Sequence, residues 1–99
     1  MTLFDLTGFQ RDLLYILAGF EHPTGQQIKT ELDAVPEYTP SDTRLYSNLD
    51  ALAFQGYVKK GTRDQRTNSY ALTEQGYEAL AARQGWEHTY LPFPSPSQS

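Results

Sequence analysis

The stretch Leu49–Thr73, LDALAFQGYVKKGTRDQRTNSYALT, decides the fold, because the spacing of its apolar residues changes partway along. Leu49 and Leu52 continue a helical stripe that starts at Leu45, and Gly56 is the natural stop after it. Beyond Gly56, Tyr57–Lys60 and Ser69–Leu72 read as two short strands around a polar turn rich in Gly, Thr, Asp and Asn. Thr73 then caps another helix, carrying Tyr77, Leu80 and Ala81 and stopping at Gly85.

Upstream, Thr7-Gly8-Phe9-Gln10 and Thr24-Gly25-Gln26-Gln27 each have the spacing of a capping box. Behind the first, Phe9, Leu13, Ile16, Leu17 and Phe20 form one helical stripe, while Leu14, Tyr15 and Ala18 make the helix apolar on a second side. Behind the second, Ile28, Leu32 and Val35 face inward until Pro36 ends the helix. The third helix starts at Thr39-Pro40-Ser41-Asp42, with Thr39 as N-cap, Pro40 in the first position and Asp42 at the positive end of the dipole. The order helix, helix, helix, hairpin, helix describes a mainly α chain with a small β-hairpin, a winged helix-turn-helix (α-α-α-β-β-α).

Charge is distributed unevenly. The chain has net charge −4, yet Lys59, Lys60, Arg63 and Arg66 fall within eight positions opposed only by Asp64. That segment carries +3, so the other 91 residues, with four basic against eleven acidic side chains, carry −7. Two explanations are open. A hairpin tip needs polar residues and these are basic, or the wing is a phosphate clamp with Lys59, Lys60, Arg63, Arg66, Thr67 and Asn68 as its contacts. The second fits a wing beside a helix about 10–12 Å across, which matches a major groove about 12 Å wide. With Leu45, Leu49 and Leu52 inward, a 100° step puts Thr43, Ser47, Asp50 and Phe54 outward. The candidate contacts to double-stranded DNA on that helix are Ser41, Thr43, Arg44, Tyr46, Ser47 and Asn48. Arg44 suits guanine, and Tyr46 or Ser47 suits phosphate. Asp42 and Asp50 oppose close phosphate approach and narrow the contact to the strip between them.

Several classes are excluded. With no cysteine there are no disulfides, thiolate metal sites or cysteine nucleophiles. His22 and His88 lack metal-ligand spacing, and no phosphate loop, dinucleotide fingerprint or nucleophile–base arrangement is legible. Neither an enzyme, a cofactor, a metal nor a small-molecule ligand is expected. No apolar run is long enough for a bilayer and the N-terminus lacks a signal-peptide pattern, so a soluble cytoplasmic protein without membrane contact is expected.

Taken together, "RLYSNLDALAFQGYVKK" and "RTNSYALTEQGYEAL" resemble the PadR-like winged-helix transcriptional regulators. The shared pattern is Leu45-Tyr46, Leu49, Leu52, Gly56-Tyr57-Val58, then Tyr70-Ala71-Leu72-Thr73 with Gly76. With "LTGFQRDLLYILAG" in front, the chain is most similar to the small PadR-like proteins of haloarchaea and their viruses, over about Leu6 to Arg83. The resemblance implies a homodimeric, sequence-specific DNA-binding regulator, a repressor at palindromic promoter sites. Carried over, Tyr46 and its neighbours would touch DNA, and Arg63 and Arg66 would be wing contacts. The chain ends soon after the fourth helix, without the C-terminal helical domain of longer PadR proteins, which puts small-molecule sensing in doubt.

Residues 1–6 are taken as an arm, 7–91 as the DNA-binding domain and the Pro/Ser-rich 92–99 as a disordered tail. Leu3, Phe4, Leu14, Tyr15, Ala18, Trp86 and Tyr90 are the candidate dimer interface, since one small core is not expected to absorb them all. The alternative is that the terminal aromatics fold back on their own protomer. A rival function is a winged helix used for protein contact alone, as an antirepressor or assembly adaptor, which the net acidity and aromatic C-terminus favour. If a dimer's wings neutralise about six to eight phosphates, affinity falls roughly 10³–10⁵-fold between 50 and 200 mM salt. In a halophilic cytoplasm specificity would then rest on the third helix and DNA shape.

Overall fold

The computed structural model describes residues 6–62 and 67–91. Its elements are α1 (Gly8–Ala18), α2 (Gly25–Asp33), α3 (Asp42–Phe54), β1 (Val58–Thr62), β2 (Asn68–Leu72) and α4 (Glu74–Tyr90). The expected α-α-α-β-β-α winged helix is the observed one. Arg63, Arg66, Leu3, Phe4 and the 92–99 tail lie outside the described residues.

Both expected capping boxes form. Thr7 accepts from the Gln10 N–H and Thr24 from the Gln27 N–H, with each glutamine reaching back to its cap. The caps satisfy backbone donors that a short helix otherwise leaves unpaired. The start of α3 differs from expectation: Ser41, not Thr39, is the N-cap, and its Oγ accepts from the Arg44 N–H at 3.1 Å. Pro40 is buried ahead of the helix instead of opening it.

Three other boundaries are corrected. The first helix ends at Ala18, leaving Phe20 exposed, and the second ends at Asp33, leaving Val35 exposed. Both side chains lie on the apolar stripes of the sequence; once the helix stops, its 100° rotation no longer carries them toward the core. The fourth helix runs through Gly85 to Tyr90. A glycine costs about 1 kcal/mol inside a helix. Contacts about one turn apart span the glycine: Arg83 with Glu87 at 3.1 Å, and the Arg83 guanidinium over the Trp86 ring at 4.6 Å from its centroid. Of the apolar residues the sequence assigns to this helix, Tyr77 and Ala81 are exposed, so it enters the core chiefly through Leu80.

The core joins Leu6, Phe9, Leu13, Leu14 and Leu17 to Ile28, Leu32, Leu45, Leu49, Leu52, Tyr57, Val58, Tyr70 and Leu80. Every helix and both strands contribute, so the hairpin is held by the same apolar burial as the helices. Leu6, assigned to the arm by sequence, is buried in this core.

The strands pair antiparallel, Val58 with Leu72, Lys60 with Tyr70 and Thr62 with Asn68. The α1–α2 connection extends this sheet: His22 adopts a left-handed φ of 47°, Pro23 accepts from the Tyr70 N–H at 2.9 Å, and Thr24 bridges Ser69. At the other end, Thr73 caps α4 by accepting from the Gly76 N–H and donates its hydroxyl to the Gly56 carbonyl at 2.6 Å. Gly56 has φ 90°, which glycine adopts freely. The spacing Leu-Thr-x-x-Gly is thus a clasp between the end of α3 and the start of α4. Among the described residues no helix is long and apolar enough to cross a membrane.

Candidate nucleic-acid interface

The third helix buries Leu45, Leu49 and Leu52 and leaves Thr43, Ser47, Asp50 and Phe54 exposed, as the helical step requires. Its two flanks are tied down by different neighbours. On one side the Arg44 guanidinium carbon lies 4.2 Å from the Phe9 ring centroid, and Asn48 accepts from Gln10 Nε2 at 3.0 Å. Asn48 also donates to the Arg44 carbonyl at 2.7 Å. Phe9 in turn packs against Tyr38 at 5.5 Å, and the Tyr38 hydroxyl donates to the Asp12 carboxylate. The capping glutamine of α1 therefore also fixes the position of α3.

On the other flank Tyr46 lies over the N-terminus of α2. A Cβ added at Gly25 would overlap the Tyr46 ring, so the side chain rests on bare backbone. The half-exposed ring is thus wedged rather than free. Gly25 carried no signal in the sequence beyond its place inside a capping box.

Both acidic residues of α3 are paired. Asp42 accepts from Lys29 at 2.8 Å, and Asp50 from Lys60 at 3.3 Å. With Arg44, three cations stand against two carboxylates on this edge, so the expected restriction to a narrow strip between Asp42 and Asp50 is relaxed. The cost falls on the wing. Alternation along β1 turns Lys60 toward α3 and Lys59 to the opposite face. There Lys59 and His22 line a half-open hollow of about 420 Å³ with Gly61, Thr62, Ser69 and Ala71. The two lysines therefore do not act as one clamp.

The remaining candidates divide as follows. Ser41 is committed to capping, though exposed, and Ser47 Oγ donates back to the Arg44 carbonyl at 3.1 Å. Thr43 stands outward between them. Asn68 is exposed at the last strand pair, beside the half-buried Thr67. The described part of the site contains hydrogen-bonding and cationic groups ordered along one helix edge, with the hairpin beside it. Such an edge suits recognition of a polyanion with a patterned groove; among the described residues no three His, Asp or Glu side chains gather as metal ligands.

A model of the transcriptional regulator PadR-like family matches residues 13–82. The chain belongs to the PadR-like family of transcriptional regulators. H. salinarum RosR is 40% identical, with a TM-score of 0.80 over 87% of this chain and 77% of that one. The hsRosR-S4 complex gives 40% identity and a TM-score of 0.81, over 87% and 74% of the two chains. S. aureus MepR, solved in a MepR–DNA complex, shares the fold at 20% identity, with a TM-score of 0.70 over 83% of this chain and 64% of that one. No curated protein matched the sequence.

In this PadR-like regulator a second surface lies away from α3. Of α4, only Gly76 and Leu80 are buried, and from Ala81 onward no residue is. Arg83 lies over the Trp86 ring at 4.6 Å, and Trp86, Tyr90 and Leu91 remain exposed. Tyr15 of α1 sits close enough to feel the charges of Glu87 and Arg83, and burial, ahead of the Glu87 carboxylate, raises its hydroxyl pKa. Ala18 is exposed on the same helix. Leu14 is a correction: it is 0% exposed within its own protomer, because α1 is sandwiched by the core on both of its apolar sides, and it is unavailable to a partner.

Proposed function

We propose that the chain is a sequence-specific double-stranded DNA-binding regulator that represses transcription from palindromic promoter sites as a homodimer. The observation carrying this is the edge of α3: a helix locked on both flanks, its aspartates neutralised, with Thr43 and Ser47 facing outward and Arg44 held against Phe9 on their flank. A locked helix has already lost the freedom that binding would otherwise remove, which favours affinity. The α3 edge enters the major groove, and the wing follows phosphates through Arg63, Arg66, Thr67 and Asn68, with Lys59 on one face of β1 and Lys60, paired with Asp50, on the other. Trp86, Tyr90, Tyr15 and Ala18, with Leu3 and Phe4 of the arm, form the two-fold interface. Residues 7–91, with Leu6 buried against them, are the functional domain, and the residues before Leu6 and 92–99 are its arm and tail.

Likeness to H. salinarum RosR and the net charge of −4 support a regulator that works in high salt. There counterion release contributes little and base contacts with DNA shape carry specificity.

Selection of genomic fragments by the purified protein, at low and at molar KCl and beside Arg63→Ala/Arg66→Ala, tests this. Enrichment of one palindromic site by the wild type, with a reporter silenced from that site, is expected. A folded dimer that enriches no fragment at either salt would remove the DNA reading and leave a winged helix that binds protein.

A further inference from the structure

The edge of α3 ends in a residue that hydrogen bonding leaves unused. Phe54 is 93% exposed, the most exposed of the large apolar side chains described. A 100° step puts it within about 20° of Thr43 and of Ser47, on the outward line of the helix. The neighbouring positions are occupied: Tyr46 and Asp50 by α2 and the wing, Arg44 and Asn48 by α1. Thr43, Ser47 and Phe54 are therefore the line left to meet a ligand. From Thr43 to Phe54 the helix rises about 16 Å, close to five base pairs at roughly 3.4 Å each.

A phenyl ring left in water at the end of such a line gains from any apolar surface that covers it. Along the edges of the bases in the major groove, the apolar group on offer is the 5-methyl of thymine, which a phenylalanine can contact. The Asp50–Lys60 pair, about one turn back, keeps the adjacent carboxylate neutralised at that position. We propose that Phe54 is a specificity-determining residue that packs on one thymine methyl in each half-site. The proposal rests on the DNA-binding reading and adds to it a base preference and its chemical cause.

The test uses the full chain and the site it selects. Each thymine is replaced singly by deoxyuridine, which removes only the methyl, and binding of wild type, Phe54→Ala and Phe54→Leu is followed by fluorescence anisotropy. One position per half-site is expected to weaken wild-type binding about fourfold, the worth of one buried methyl-sized group. At that position Phe54→Ala should bind thymine and uracil sites equally, and Phe54→Leu should keep part of the ratio. An exposed side chain can be removed without loss of the core, and circular dichroism checks that both variants are folded. A wild type insensitive to every replacement, or a Phe54→Ala that keeps the full ratio, overturns the proposal while leaving DNA binding intact. A folded wild type that selects no DNA overturns both.

Discussion

Tyr46 of α3 lies across Gly25 of α2, so closely that a Cβ at Gly25 would overlap the ring. The contact sets the angle between the two helices of the helix-turn-helix. Gly25→Ala should therefore push Tyr46 outward, costing about 1–3 kcal/mol of overpacking. It should lower DNA affinity at least as much as Tyr46→Ala does. Thermal unfolding and anisotropy on the same samples separate the two effects.

Gly76 is held by a harder constraint. Its Cβ would meet the Tyr57 carbonyl oxygen, a backbone atom, with a Leu72 methyl at 3.0 Å. Gly76→Ala should destabilise the fold by about 2–3 kcal/mol, lowering the melting temperature by roughly 10–20 °C for a chain of this size. Gly85→Ala, where nothing lies within 4 Å, should instead raise it.

Lys60 and Asp50 make the wing's charge conditional. Asp50→Asn should release Lys60 toward phosphate, tightening DNA binding and steepening its dependence on salt. Lys60→Ala should weaken binding by more than one lost cation accounts for, because it also unmasks the Asp50 carboxylate. The slope of log affinity against log KCl for both variants checks this.

Tyr38 supplies an alkaline limit. Its hydrogen bond to Asp12, with burial adding, holds its pKa above the ordinary 10.0. A folded pKa above the unfolded value means that the stabilisation is fully present below about pH 10 and is lost as pH rises through the folded value. Melting temperature followed from pH 8 to 12 should fall late in this range. Tyr38→Phe should flatten that fall and lower stability near neutrality by about 1 kcal/mol, since the ring contact with Phe9 survives.

The far half of α4 predicts the assembly. Trp86→Ala/Tyr90→Ala should shift sedimentation from dimer to monomer while leaving the melting curve of the protomer largely unchanged, because neither ring belongs to the core. The α3 edge is untouched in this variant, so loss of palindrome binding with retained weak half-site binding is the expected pattern.

Much of the element order is legible in the sequence. Caps and apolar periods are local, so Thr7, Thr24, Thr73 and the Leu45–Leu49–Leu52 stripe set the element order and the outward face of α3 by sequence alone. Boundaries were less legible where two signals competed, as at Thr39 against Ser41 for the start of α3 and Gly85 against its flanking contacts for the end of α4. What only the tertiary structure decided is which charges survive. Lys29 meets Asp42 and Lys60 meets Asp50 across turns whose path no periodicity encodes. A helix wheel puts Leu14 on a second apolar side and offers it as surface, because it carries no information on what lies there, and here the core lies on both sides. Hydrophobic spacing reports which face a residue occupies; only packing reports what that face meets.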